Sequence, residues 1–192
     1  GYEAHVGFLN AAFADKSGKA FYSDVPVLVC EKRISNISDV TPVFELLKKE
    51  NINQCVIVCD EIEDSMLGIF VTSKRLGTFN SVIIRASNWL LKDIEGAVGA
   101  KAISDSNGIT FQNFKLEHLG QAKKVISDAH KTLFTTDGVA SKKYAQLLES
   151  MIQHEPNQFQ VRKMKDRIAH LRGGVAVLKI GASTDFERDY LR

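Results

Sequence analysis

The sequence predicts an α/β fold, a layered β-sheet core flanked by helices, with two of the helices near the C-terminal end. Three observations carry that reading. Short runs rich in Val and Ile alternate with longer stretches whose apolar residues recur at helical spacing. The longer stretches carry start and stop residues of the kinds that bound helices. Beyond residue 105 the alternation gives way to a hairpin pattern and then to two amphipathic stretches. A chain of 192 residues, 44% apolar and 25% charged, has the composition of a folded domain, which excludes disorder, collagen and coiled coil as global descriptions. At this length a compact fold buries roughly 70% of the surface its unfolded chain exposes, enough for a core without staples.

The elements follow in order. Residues 25–30, 54–59 and 81–85 read as buried strands because their apolar runs are nearly continuous. Residues 38–50 and 63–76 between them read as helices. Ser38 or Asp39 can cap the first, and Pro42 is expected in its first turn, where a missing amide does no harm. Asp60, Glu61, Glu63 and Asp64 crowd the start of the second, and Gly77 can close it as a left-handed cap. A helix over 89–98 and a short strand over 101–104 complete a layered unit with mainly parallel strands. Residues 124–127 and 132–136 form the expected hairpin, ended by a turn at Asp137-Gly138. Helices over 142–154 and 158–171 are broken by Pro156, and Gly173-Gly174 releases a last strand over 175–180. No repeat or linker interrupts the chain, so one domain over 1–192 is expected.

Composition and motifs narrow the function. With 25 basic and 23 acidic residues the net charge is +2, too weak a field to draw nucleic acid or an anionic membrane. The basic stretch 142–172 interleaves only Tyr144 and Phe159, so it reads as a solvated helix face and not as a single-strand platform. No run of 18 apolar residues is present, and no membrane span is expected. Cys30, Cys55 and Cys59 are odd in number, lack zinc-site spacing and sit in apolar runs. They are expected to be buried, reduced thiols in a cytoplasmic or other reducing compartment such as an organelle matrix. Phosphate-binding loops, a nucleophile elbow and a metalloprotease helix are absent, so neither a catalytic residue nor a metal site is expected. The acidic cluster offers one alternative, magnesium-dependent phosphoryl transfer using Asp60, Glu61 and Asp64. The same carboxylates equally serve to complement the positive end of the following helix.

Helix 63–76 carries more apolar surface than a core face needs. Met66, Ile69 and Phe70 form one stripe, read as the inward face, and Leu67 with Val71 forms a second. Together they span about 200°, against roughly 100° for covering a core. Phe44 lies at the edge of the preceding helix. Either the two helices flank a groove that binds peptide or protein, or a later element such as helix 142–154 covers the second stripe.

A set of segments then resembles the apical domain of group I chaperonins, the GroEL family. They are Gly1-Tyr2 with Phe8-Leu9-Asn10, Lys32-Arg33-Ile34-Ser35-Asn36-Ile37, Pro42-Val43, Leu119-Gly120-Gln121-Ala122-Lys123-Lys124-Val125 and Asp137-Gly138-Val139. Arg167-Ile168-Ala169 leads on through Gly173-Gly174-Val175-Ala176-Val177 to Lys179-Ile180-Gly181-Ala182. These matches keep the family order across almost the whole chain. The resemblance implies a domain that binds non-native polypeptide, and a co-chaperonin's mobile loop, in a groove between two helices. The implied polypeptide-binding residues are Tyr2, Phe8, Thr41, Phe44, Leu67, Val71 and Thr72, and Gly181 is the implied hinge. ATP and magnesium would belong to an equatorial domain that this chain lacks, leaving a monomeric fragment of a ring-forming parent, with no cofactor of its own. Gly7, Thr41 and Thr72 depart from the apolar or aromatic residues usual in the family's groove. Leu76 replaces a basic residue, and the segments around 85–89 and Pro156 are shorter than the family's, as in a divergent paralogue.

Overall fold

The run Cys55-Val56-Ile57-Val58-Cys59 is fully buried, as expected of a strand covered on both faces, and it lies near the middle of a single mixed sheet. The computed structural model describes residues 1–173. Its strands are β1 (Tyr2–Ala4), β2 (Ala20–Cys30), β3 (Gln54–Cys59), β4 (Asn80–Arg85), β5 (Gly120–Ser127) and β6 (Thr132–Thr135). They run in the order β1-β6-β5-β2-β3-β4. β2, β3 and β4 are parallel, with Val27 opposite Val56 and Val56 opposite Val82. The other pairings are antiparallel, so only half of the sheet follows the parallel pattern expected from sequence.

The difference lies in β1 and the first half of β2, whose residues alternate between more and less buried positions and carry no long apolar run. β2 begins at Ala20, and at Asp24 (φ 48°) its pairing with β5 skips between Ser23–Lys124 and Val25–Ala122. Residues 101–104 make no strand; Ile103 and Ser104 form only isolated bridges, to Cys30 and Ile109. The hairpin is present, its first strand starting earlier at Gly120 and its second ending at Thr135, with Lys124 opposite Thr135 and Ser127 opposite Thr132. The strand expected over 175–180, Gly174 and Gly181 lie outside the described residues.

The helices are α1 (Ile37–Lys49), α2 (Asp64–Leu76), α3 (Asn88–Val98), α4 (Val139–Ile152) and α5 (Gln158–Leu171). Asn36, and not Ser38 or Asp39, occupies the N-cap position of α1, which moves Pro42 past the first turn into the helix. Gly77 ends α2 at φ 76°, where its amide and that of Thr78 reach back to the carbonyls of Lys74 and Ser73. α1 and α2 connect successive parallel strands and therefore lie side by side on the sheet. α3, α4 and α5 pack on one another, α3 and α5 also against β1. A buried ion pair joins this group: Arg167 donates to both carboxylate oxygens of Asp93 at 3.0–3.1 Å through Nε, and to Tyr144 Oη at 3.3 Å.

The leading segment ties the sheet's two edges together. β1 pairs with β6 at one edge, yet Phe8, four residues on, bridges Ile84 of β4 at the other. The sheet must therefore curl. Gly7 sits at the crossing, where a Cβ would lie 1.9 Å from the Asp128 carbonyl oxygen. That contact is the physical reason for a glycine at this departure from the family pattern.

Candidate functional site

Two amphipathic helices laid in parallel on a sheet leave a furrow unless their facing side chains fill it. Between α1 and α2 the furrow stays open as a groove of about 510 Å³. α1 contributes Ile37, Thr41 and Phe44, and α2 contributes Ile69, Phe70 and Ser73. The turns leaving the two helices close one end with Ile52 and Phe79. Three rings form the apolar centre: Phe44 lies 5.4 Å from Phe70 and 5.2 Å, edge-on, from Phe79. Below them Val40, Val43 and Phe70 surround one small void with Leu28 and Ile57 of the sheet, so the floor is core. Glu45 and Lys48 border the groove on one side, and Asn51, Asn53 and Thr78 supply polar groups at the closed end. The arrangement can bury apolar side chains while offering hydrogen-bond partners to a backbone laid along it.

The implied binding residues separate into three places. Thr41 and Phe44 line the groove; the Thr41 hydroxyl donates to the Ile37 carbonyl at 2.6 Å. Leu67, Val71 and Thr72 are not part of its lining. Val71 is only 9% exposed, Leu67 is half-buried against the core and Thr72 points to solvent. Tyr2 is buried on β1 and borders a different cleft, and Phe8 is buried where it bridges β4.

Helix α2 thus has the expected excess of apolar arc, but with its ends exchanged. Met66, Phe70 and Val71 face the core, and the residue left over is Ile69, 39% exposed at the groove. The leading segment lies against this helix. Its short 3-10 turn, Ala11–Phe13, packs on α2, and Lys74, one helical turn beyond Val71, donates to the Phe13 carbonyl at 2.8 Å and to Tyr22 Oη at 2.9 Å. Burial lowers the Lys74 pKa. Among the described residues the turn with no periodicity of its own packs on α2, whereas helix 142–154, expected as the alternative cover, packs on α3 and α5. Ile37, Ile52 and Phe79 were not singled out from sequence, and the one signal for the last two was an apolar residue in a turn following a helix.

The acidic cluster is occupied by local partners. Arg33 pairs with Glu63 and lies 3.9 Å from Glu61, and Asp60 accepts from the Ser87 hydroxyl at 2.8 Å. Asp64 opens α2. Among the described residues no group of three His, Cys, Asp or Glu side chains is placed to hold a metal ion. Cys30, Cys55 and Cys59 are free and buried, and burial pushes each thiol up to about 12. Among the described residues no helix is long and apolar enough to cross a membrane.

No family model matches this chain. Among solved structures, two crystal forms of the chaperonin gp146 from the bacteriophage EL 2 (Pseudomonas aeruginosa), in presence of ATP-BeFx, are similar to it. The TM-scores are 0.70 and 0.68 at 14% identity, covering 89% of this chain and 36% of the phage protein. The chain therefore has a chaperonin-like fold and spans little more than a third of the length of the chaperonin it matches.

Proposed function

We propose that this chain is the apical domain of a divergent chaperonin and that the α1–α2 groove binds segments of non-native polypeptide. The observation that carries the reading is an open groove, centred on Phe44, Phe70 and Phe79, in a chaperonin-like fold. An unfolded chain exposes apolar side chains, and each one seated between the helices gains about 25 cal/mol per Å² of surface removed from water, before ordering costs. Polar groups at the closed end, Asn53 and Thr78 among them, accept or donate to the client backbone. Within this reading a co-chaperonin loop competes for the same groove. ATP and magnesium act in a ring-forming parent outside this chain, in a reducing compartment, and Gly181 serves as the hinge toward it. Phosphoryl transfer by Asp60, Glu61 and Asp64 is not favoured, because Arg33 and Ser87 already engage the cluster.

The test is a titration of the 192-residue chain with an extended apolar peptide, followed by amide NMR. Shifts centred on residues 37–52 and 69–79, with suppressed aggregation of a denatured client, are expected. Shifts centred on residues 60–64 upon magnesium addition, without peptide binding, would overturn the reading.

A further inference from the structure

Behind the closed end of the groove runs a chain of hydrogen bonds made by residues that do not line it. Lys74 Nζ donates to the Phe13 carbonyl at 2.8 Å and to Tyr22 Oη at 2.9 Å. Tyr22 Oη donates in turn to Asn80 Oδ1 at 2.8 Å. Lys74, Tyr22 and Asn80 are absent from the lining, yet Lys74 directly follows Ser73 and Asn80 directly follows Phe79, both of which belong to it. The front of the same turn is tied as closely. The Ser73 carbonyl accepts from the Thr78 and Phe79 amides at 3.0 and 3.4 Å, and Asn80 N donates to the Asn53 carbonyl at 2.9 Å. Tyr22 is buried on β2, and the half-buried Lys74 ammonium lies 5.2 Å from the centre of its ring. Hydrogen bonds in such a setting are costly to break, because the freed groups stay out of water.

We propose that Lys74, Tyr22 and Asn80 are positioning residues of the α1–α2 groove, holding its Phe79 wall in place and tying it to the leading segment. The inference rests on the groove reading above. Phe79 stands in the turn between the end of α2 at Leu76 and the start of β4 at Asn80, where no helical or strand ladder fixes it. Its ring nevertheless forms one side of the aromatic centre, edge-on to Phe44. A ring held before the ligand arrives needs less ordering on binding, so the tie raises affinity without touching the ligand. The leading segment joins the chain at the Phe13 carbonyl, at the end of the Ala11–Phe13 turn. Coupling of binding free energies is reciprocal: a ligand that firms the Phe79 wall must firm the Phe13 contact equally.

The experiment pairs hydrogen exchange with a titration of the 192-residue chain by a blocked heptapeptide of alternating leucine and threonine. Tyr22→Phe keeps the ring and removes the relay, and Lys74→Met keeps the aliphatic stem and removes both donations. In each variant peptide affinity is expected to fall about three- to tenfold. The Thr78, Phe79 and Asn80 amides should gain at least about tenfold more in exchange rate than those of Val56 and Ile57 at the middle of the sheet. In the unsubstituted chain bound peptide should slow the Phe13 and Ala14 amides, which donate within the leading turn, and should no longer do so in Lys74→Met. Unchanged affinity in Tyr22→Phe overturns the proposal and leaves the groove reading standing. Exchange that quickens equally in β3 overturns it too, by reducing the chain to a general support of the fold. So do Phe13 and Ala14 amides that ignore the peptide. An unsubstituted chain that binds no peptide overturns the groove reading and this inference with it. If Lys74→Met fails to fold, Tyr22→Phe, which loses a single hydroxyl, carries the test.

Discussion

Ile69 and Val71 stand two residues apart on one helix and meet opposite surroundings. Ile69 borders the groove at 39% exposure, and Val71 is buried in the core at 9%. Ile69→Ser is therefore expected to weaken apolar-peptide binding about tenfold, some 1–2 kcal/mol of burial lost in the complex. Its effect on stability should be no more than about 0.5 kcal/mol, because the side chain is already wet in the free protein. Val71→Ser should do the reverse, costing about 2–4 kcal/mol through a cavity and a buried hydroxyl while leaving the affinity of the folded molecules unchanged. Urea melts paired with peptide titrations separate the two. Weakened binding by a fully stable Val71→Ser would return the site to the row of Leu67 and Val71. The thiols give an independent check on the core. With Cys30, Cys55 and Cys59 buried and pushed up to about 12, a disulfide reagent at neutral pH should label none of them until the chain unfolds.

At the scale of elements, the β5–β6 hairpin owes its turn to Asp128. Partial burial works against its carboxylate, but the backbone amides of His130 and Lys131, donating at 2.7 and 2.8 Å, hold the pKa below the ordinary aspartate range. A depressed pKa means the folded state binds the proton less readily than the unfolded chain. The stability it brings is full above about pH 4 and is lost as the pH falls through the folded value. Asp128→Asn keeps an acceptor for both amides without the titration. It should flatten the acid limb of a pH series of melts, and an unchanged limb would assign that limb to other carboxylates. The same turn presses its Asp128 carbonyl on Gly7. Gly7→Ala is expected to destabilise strongly, by about 2 kcal/mol or more, because backbone and not a flexible side chain must move. A melt within 1 °C of the unsubstituted chain would refute the crossing.

For the whole molecule, curvature matters more than strand count. The sheet is parallel where α1 and α2 lie on it and antiparallel where the leading segment and hairpin close it, and the curl lets residues 8–13 reach across to β4 and α2. The groove and the cleft that Tyr2 borders consequently belong to separate pairs of elements, α1 with α2 and β1 with the α3–α5 wall. The 192-residue chain is expected to sediment as a monomer at micromolar concentration, since nothing in its composition supplies the large apolar excess of an obligate ring contact. A stable ring at that concentration would contradict this.

The sequence by itself determined the elements whose signals are local. The α5 bounds, Gln158–Leu171, coincide with the periodic stretch, and the Val/Ile runs of β3 and β4 were legible because strands buried on both faces need continuous apolar sequence. Gly77 marked the end of α2 for an equally local reason. The surplus of apolar arc on α2 was legible too. Which end of that arc stays open was decided only by the tertiary structure. Helical periodicity states how much of a helix must be covered, and it is silent about irregular segments that pack on it, as the Ala11–Phe13 turn does here. Ile52 and Phe79 entered the groove for the same reason: turns carry no periodicity, and their apolar side chains acquire a place only when two helices are laid side by side on a curled sheet.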